Sequence, residues 1–178
     1  ADLEIRKDFG ETPLMFAVAR EDMSIEIISV LIKFGAELGA EKDDGGWTAF
    51  MMAVKQVAQK SANIEVISMF IKAGADVNAW NKNGFTPFVY ALRYSTNPEL
   101  ISVLINAGAD LETKTDGGWT PLMWAAARED MSIEIISMLI NAGAELHAKT
   151  DDGWTAYAIG QKYNAKPEAN VLLLGWPG

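Results

Sequence analysis

Few residues in this chain have the types and spacing that catalysis requires. There is one histidine, His147, and no cysteine. A lone imidazole lacks the second ligand or the nucleophile that metal binding or acid–base chemistry needs, so His147 reads as a structural residue near a turn. Paired carboxylates flank glycine at Asp43-Asp44-Gly45 and Asp151-Asp152-Gly153. A calcium loop needs several oxygen ligands at alternating positions. Those are missing, so both pairs read as solvated turn residues. No Gly-rich phosphate loop and no Gly-x-Ser-x-Gly elbow is present. The sequence therefore predicts no catalytic residue, no metal site and no cofactor.

The chemistry that remains is recognition. Five segments share a pattern: Glu11-Thr12-Pro13-Leu14-Met15-Phe16-Ala17, Trp47-Thr48-Ala49-Phe50-Met51-Met52-Ala53, Phe85-Thr86-Pro87-Phe88-Val89-Tyr90-Ala91, Trp119-Thr120-Pro121-Leu122-Met123-Trp124-Ala125 and Trp154-Thr155-Ala156-Tyr157-Ala158-Ile159-Gly160. In four of them the residue before the threonine is aromatic: Trp47, Phe85, Trp119 and Trp154. Tryptophan and tyrosine are the side chains most enriched in binding hot spots. The set reads either as a contact ladder or as packing within the repeats.

The elements that must position these rings follow from the same segments. The threonines are 36, 38, 34 and 35 residues apart, and such a period signals a repeat architecture. A threonine hydroxyl caps free amides at a helix start, and proline suits the first helical position. A short helix follows each threonine. After a polar turn, Ser24, Asn63, Asn97 and Ser132 each precede a first-turn glutamate, placed where the helix dipole favours negative charge. The second helix, Ile27 to Ile32 and its equivalents, carries apolar residues at helical spacing. It stops at Gly35, Gly74, Gly108 or Gly143, which accept a left-handed cap. Turn residues such as Asn81-Lys82-Asn83-Gly84 then lead into the next threonine.

Taken together, Gly118-Trp119-Thr120-Pro121-Leu122, Gly84-Phe85-Thr86-Pro87, Gly74-Ala75-Asp76-Val77-Asn78-Ala79 and Gly108-Ala109-Asp110-Leu111 resemble the ankyrin-repeat family over essentially the whole chain. The resemblance implies an all-α repeat fold, an ankyrin solenoid of helix-turn-helix units with short β-hairpin fingers. It gives one domain over residues 1–178, with approximate repeats 1–40, 41–79, 80–113, 114–148 and 149–178, the last a degenerate cap. Two departures stand out. The family's histidine after Thr-Pro-Leu is replaced by Met15, Met51, Val89, Met123 and Ala158, so its hydrogen bond must be absent or made by another group. The turns between helices are also long, most of all from Val57 to Asn63, where the chain bulges or prolongs a helix. Thr12 to Leu38 and Thr120 to Leu146 differ at five of 27 positions, which reads as a duplicated block.

Composition bounds the partner. The net charge of −9 argues against nucleic acid, whose recognition needs a basic surface. It favours solubility and a basic or neutral partner. No apolar run approaches the ~20 residues of a membrane-spanning helix. The absence of cysteine leaves the redox compartment open.

The resemblance thus implies a non-enzymatic module, monomeric, that binds another protein through a concave inner-helix and finger surface. The candidate contact residues are Trp47, Phe85, Trp119 and Trp154, with Met51 and Met123 beside them; the Met15, Met51, Val89 and Met123 position is expected to be partly exposed. Arg93, Tyr94 and Arg128 join them in the turn region, near Arg20, Lys55, Gln56, Lys162 and Tyr163. Residues at the Phe16, Met52, Tyr90, Trp124 and Ile159 position are expected in the core. The alternatives are a spacer segment of a longer multi-repeat protein and an engineered binder on the same scaffold.

Overall fold

The computed structural model describes residues 5, 6, 8–20, 23–60, 63–130, 132–163 and 166–175. Residues 1–4, 7, 21, 22, 61, 62, 131, 164, 165 and 176–178 lie outside these. Among the described residues there are ten α-helices and no extended strand: α1 Pro13–Ala19, α2 Ile25–Lys33, α3 Ala49–Lys60, α4 Glu65–Lys72, α5 Pro87–Tyr94, α6 Pro98–Asn106, α7 Pro121–Ala126, α8 Ile133–Asn141, α9 Ala156–Lys162 and α10 Pro167–Leu173. The odd-numbered helices follow the repeated threonine and are the inner helices. The even-numbered ones are the outer helices.

Four of the five inner-helix starts carry the predicted threonine cap, and at α7 the buried Thr120 hydroxyl makes no such bond. Thr12, Thr48, Thr86 and Thr155 each accept the backbone N–H three residues on, at 3.2–3.3 Å. Ser24, Asn63, Asn97 and Ser132 cap the outer helices through Ile27, Glu65, Glu99 and Glu134 amides. At the far ends Gly35, Gly74, Gly108 and Gly143 have φ between 86° and 101°. That turn lets the next amide reach back to the outer helix, as Ala36 N–H does to Leu31 O at 3.0 Å. Lys166 gives α10 no side-chain cap.

The chain forms two compact units, one through Ala91 and one from Leu92. In the first, α1 packs on α2 and α3, α2 on α4, and α3 on α4. Leu14, Met15, Ile28, Phe50, Met51, Ile67 and Phe70 fill its core. In the second, α7 packs on α8 and α9, α6 on α8, and α10 on both α8 and α9. Leu100, Ile101, Leu104, Met123, Ile136 and Leu139 are buried there.

Among the described residues the fingers are tight turns rather than strand pairs, with single bridges at Glu41–Thr48 and Thr115–Trp119. A backbone bond spans each of four of them, Lys42 N–H to Trp47 O, Asn81 to Phe85, Thr115 to Trp119 and Thr150 to Trp154, all 2.9–3.0 Å, with tighter bonds inside the turn. Neighbouring fingers are joined by one more, Asp43 to Phe9 and Lys82 to Gly45 in the first unit, Asp151 to Gly117 in the second. Such close approach requires glycine: a Cβ on Gly118, at φ 74°, would sit 3.0 Å from the Asp151 backbone nitrogen.

The insertion after Val57 prolongs a helix. The inner helices α1, α5, α7 and α9 have 6–8 residues, whereas α3 has 12. Its sequence explains the extension. Met, Ala, Lys and Gln are good helix formers, glycine and proline are absent, and buried Val57 and Ala58 anchor the added turn.

Candidate partner-binding surface

Each finger holds its aromatic against the inner helix that follows or adjoins it. In the first unit Trp47 and Phe85, both half-buried, flank the Tyr90 ring, with centroids 4.6 Å and 5.3 Å away and tilts near 40°. The Tyr90 hydroxyl accepts from Asn81 Nδ2 at 3.2 Å. Asn81 Oδ1 in turn accepts the Asn83 and Phe85 backbone N–H groups of the same finger. In the second unit half-buried Trp119 lies 4.9 Å from Trp124. The Trp124 indole Nε1–H donates to Thr115 Oγ1 at 3.0 Å. The ring one place after the usual histidine position thus ties inner helix to finger.

Cations cover the open faces of these rings. Lys55 Nζ is 5.0 Å from the Trp47 centroid, and Lys162 Nζ is 4.8 Å from that of Trp154, which is 41 % exposed. The Arg93 guanidinium lies 5.0 Å from Trp124 and 5.5 Å from Tyr94. A cation over an aromatic face is held by the ring quadrupole, which fixes both partners before anything binds. The first finger has Glu11 in place of an aromatic. It pairs with Lys42 at 2.6 Å, and Asp44 lies 3.4 Å from the same ammonium. The hydrogen bond to Glu11 holds Lys42 protonated above the ordinary lysine value of 10.5.

Two grooves open beside these rings. The larger, about 390 Å³, lies in the first unit and is lined by Lys42, Asp44, Trp47, Met52, Lys55, Gln56, Gln59 and Lys60. The smaller, about 120 Å³, lies in the second unit between Trp119, Trp154, Ile159 and Lys162. Among the described residues no group of three His, Asp or Glu side chains could hold a metal ion, and no helix is long and apolar enough to cross a membrane.

The family model for ankyrin repeats (3 copies) matches residues 1–79, 56–150 and 94–174. The chain belongs to the ankyrin-repeat family. No curated protein matches it. Ankyrin repeats are generally non-enzymatic protein-interaction modules.

Several sequence-based expectations for these ankyrin repeats are corrected by the structure. Met15, Met51, Val89 and Met123, expected to be partly exposed, are fully buried. Phe16 is 39 % exposed, while Met52 and Trp124 are only half-buried; of that position only Tyr90 and Ile159 are in the core. The third residue after threonine is thus buried in α1, α3, α5 and α7, while the fourth, in Tyr90 and Trp124, reaches the finger. Met123 does more than fill space: its sulfur accepts the Thr120 backbone N–H at 3.4 Å.

Arg128 is committed elsewhere. Its guanidinium donates to Leu92 O at 2.9 Å and Ser95 O at 3.0 Å, closing the end of the preceding inner helix, and pairs with Asp130 at 2.6 Å. Gln56 plays the same part in the first unit, donating to Ala19 O at 3.3 Å. Tyr94 and Tyr163 are exposed, as is His147. The bonds of Tyr90 and Trp124 to the finger were not read from the sequence. Their signal was there, because polar-tipped rings follow the lost histidine position in both repeats.

Proposed function

We propose that this chain is a non-enzymatic ankyrin module that grips a partner protein through its inner-helix and finger surface. Trp47 and Phe85 make the contact in the first unit, and Trp119 and Trp154 in the second. The observation that carries this is the pre-fixed state of partly exposed aromatics. Trp47 and Trp154 are held by lysines, and Trp47, Phe85 and Trp119 by ring contacts, so little side-chain freedom is lost on binding. Buried Met51 and Met123 shape the surface from beneath. Arg93 and Tyr94 extend it, whereas Arg128 serves the scaffold.

The test is affinity capture from the source cells with the wild-type chain and a Trp47→Ala/Trp119→Ala variant of unchanged helicity. The expected result is a partner retained by wild type and lost by the variant. Equal retention by both, or no specific retention by wild type, would overturn the reading. The latter outcome would leave the chain as a spacer.

A further inference from the structure

The groove beside Trp47 differs from its counterpart in the second unit because α3 is long. Met52, Lys55, Gln56, Gln59 and Lys60 fall at i, i+3, i+4, i+7 and i+8. At about 100° per residue they form one stripe, with Met52, Gln56 and Gln59 along its middle and Lys55 and Lys60 on its flanks. Gln59 and Lys60 belong to the added turn of α3. Lys42 also reaches the groove but is already paired with Glu11 and Asp44. Neither Lys55 nor Lys60 has an ion-pair partner among the described residues, and Asp44 is the only carboxylate lining the groove. The local charge is therefore opposite to the chain's net −9.

We propose that this groove takes an acidic segment of a partner protein, its carboxylates toward Lys55 and Lys60 and an apolar side chain against Trp47 and Met52. This rests on the reading of the chain as a protein-binding module and names the chemistry of what it binds. Charge complementarity carries the choice of occupant: two ammonium groups with no carboxylate partner, Lys55 over the Trp47 ring and Lys60, flank an apolar and amide floor. A polyanion such as nucleic acid fits less well, because Glu41, Asp43 and Asp44 lie exposed on the adjoining finger and would repel a long run of phosphates.

The probe is a short glutamate-rich peptide with one leucine, compared with the same peptide carrying glutamine for each glutamate. The readout is the Trp47 indole N–H resonance, assigned with Trp47→Phe. The glutamate peptide is expected to shift that resonance, and its affinity to fall as salt rises past about 0.1 M, where the Debye length is about 10 Å. Lys55→Gln/Lys60→Gln should weaken it roughly tenfold. Lys149→Gln, at an exposed site of the second unit, should bind as wild type. Equal response to both peptides, no shift of Trp47, or unchanged binding by the double lysine variant would overturn the proposal. So would an oligonucleotide of equal charge that bound more tightly. Failure here is separable from failure of the functional reading. A partner captured through Trp47 and Trp119 but indifferent to Lys55 and Lys60 removes the acidic preference alone.

Discussion

The bond from Trp124 to Thr115 stands where the family's histidine would tie helix to finger, and its worth can be worked out. The indole N–H donates at 3.0 Å to a hydroxyl on Thr115, a residue 5 % exposed. A net intramolecular hydrogen bond contributes about 1 kcal/mol, and without the indole N–H the Thr115 hydroxyl still donates to Trp119 O at 3.4 Å. Trp124→Phe keeps a ring against Trp119 and beneath Arg93 but removes the donor. It should therefore destabilise by about 1 kcal/mol. Trp124→Ala also loses the ring pair, worth about 0.5–1.5 kcal/mol beyond area burial, and should cost clearly more. Thr115→Val removes the acceptor with little change of shape. A double-mutant cycle of Trp124→Phe and Thr115→Val, followed by urea unfolding and far-UV circular dichroism, should return a coupling near ~1 kcal/mol. Exchange of the Thr115 amide, which closes the finger through Trp119 O, should quicken in Trp124→Phe. A coupling below about 0.3 kcal/mol would refute the claim that this bond takes over the histidine's task.

Three further outcomes are expected. Ile27 and Ile135 occupy the same place in the duplicated block, yet Ile27 is 49 % exposed and Ile135 is fully buried, because α6 packs against α8. Ile135→Ala should cost about 2–5 kcal/mol and Ile27→Ala about 0.5 kcal/mol in chemical denaturation; equal losses would contradict the packing. Gly118→Ala should destabilise more than Gly35→Ala: both have positive φ, but only the first Cβ meets backbone, while the space around Gly35 is open. Thermal melts of the two variants would show it. The hydrogen bond from Arg128 lowers the Asp130 pKa from its ordinary 3.8. A carboxyl depressed in the folded state adds stability that is present above the unfolded value and lost as pH falls through the folded one. Stability measured below about pH 4 should fall less steeply in Asp130→Asn than in wild type, and identical acid limbs would remove this pair from the account.

The repeat period, the threonine and asparagine caps and the glycine stops were legible in the residues because each acts locally. A hydroxyl reaches an amide three residues on, and a left-handed turn needs a missing Cβ, whatever surrounds them. That is why the order of inner and outer helices and the family were readable before any packing was known. The candidate surface was legible only in part. Trp47, Phe85, Trp119 and Trp154 stand out by their place before the threonine, and all four are at least partly exposed.

What the residues alone left undecided was the rotation of each inner helix about its axis. Two adjacent apolar positions, Met123 and Trp124, look equally fit for the core, and only the packed structure chooses between them, burying Met123 and tying Trp124 to the finger. The same holds for Arg128, whose carbonyl partners lie 33 and 36 residues away, and for Ile27 and Ile135, alike in sequence but separated in burial by whether a neighbouring helix covers them. The 12-residue α3 belongs to both levels. Its composition permits the extra turn, but only burial of Val57 and Ala58 holds that turn in place and sets Lys60 beside the Trp47 groove.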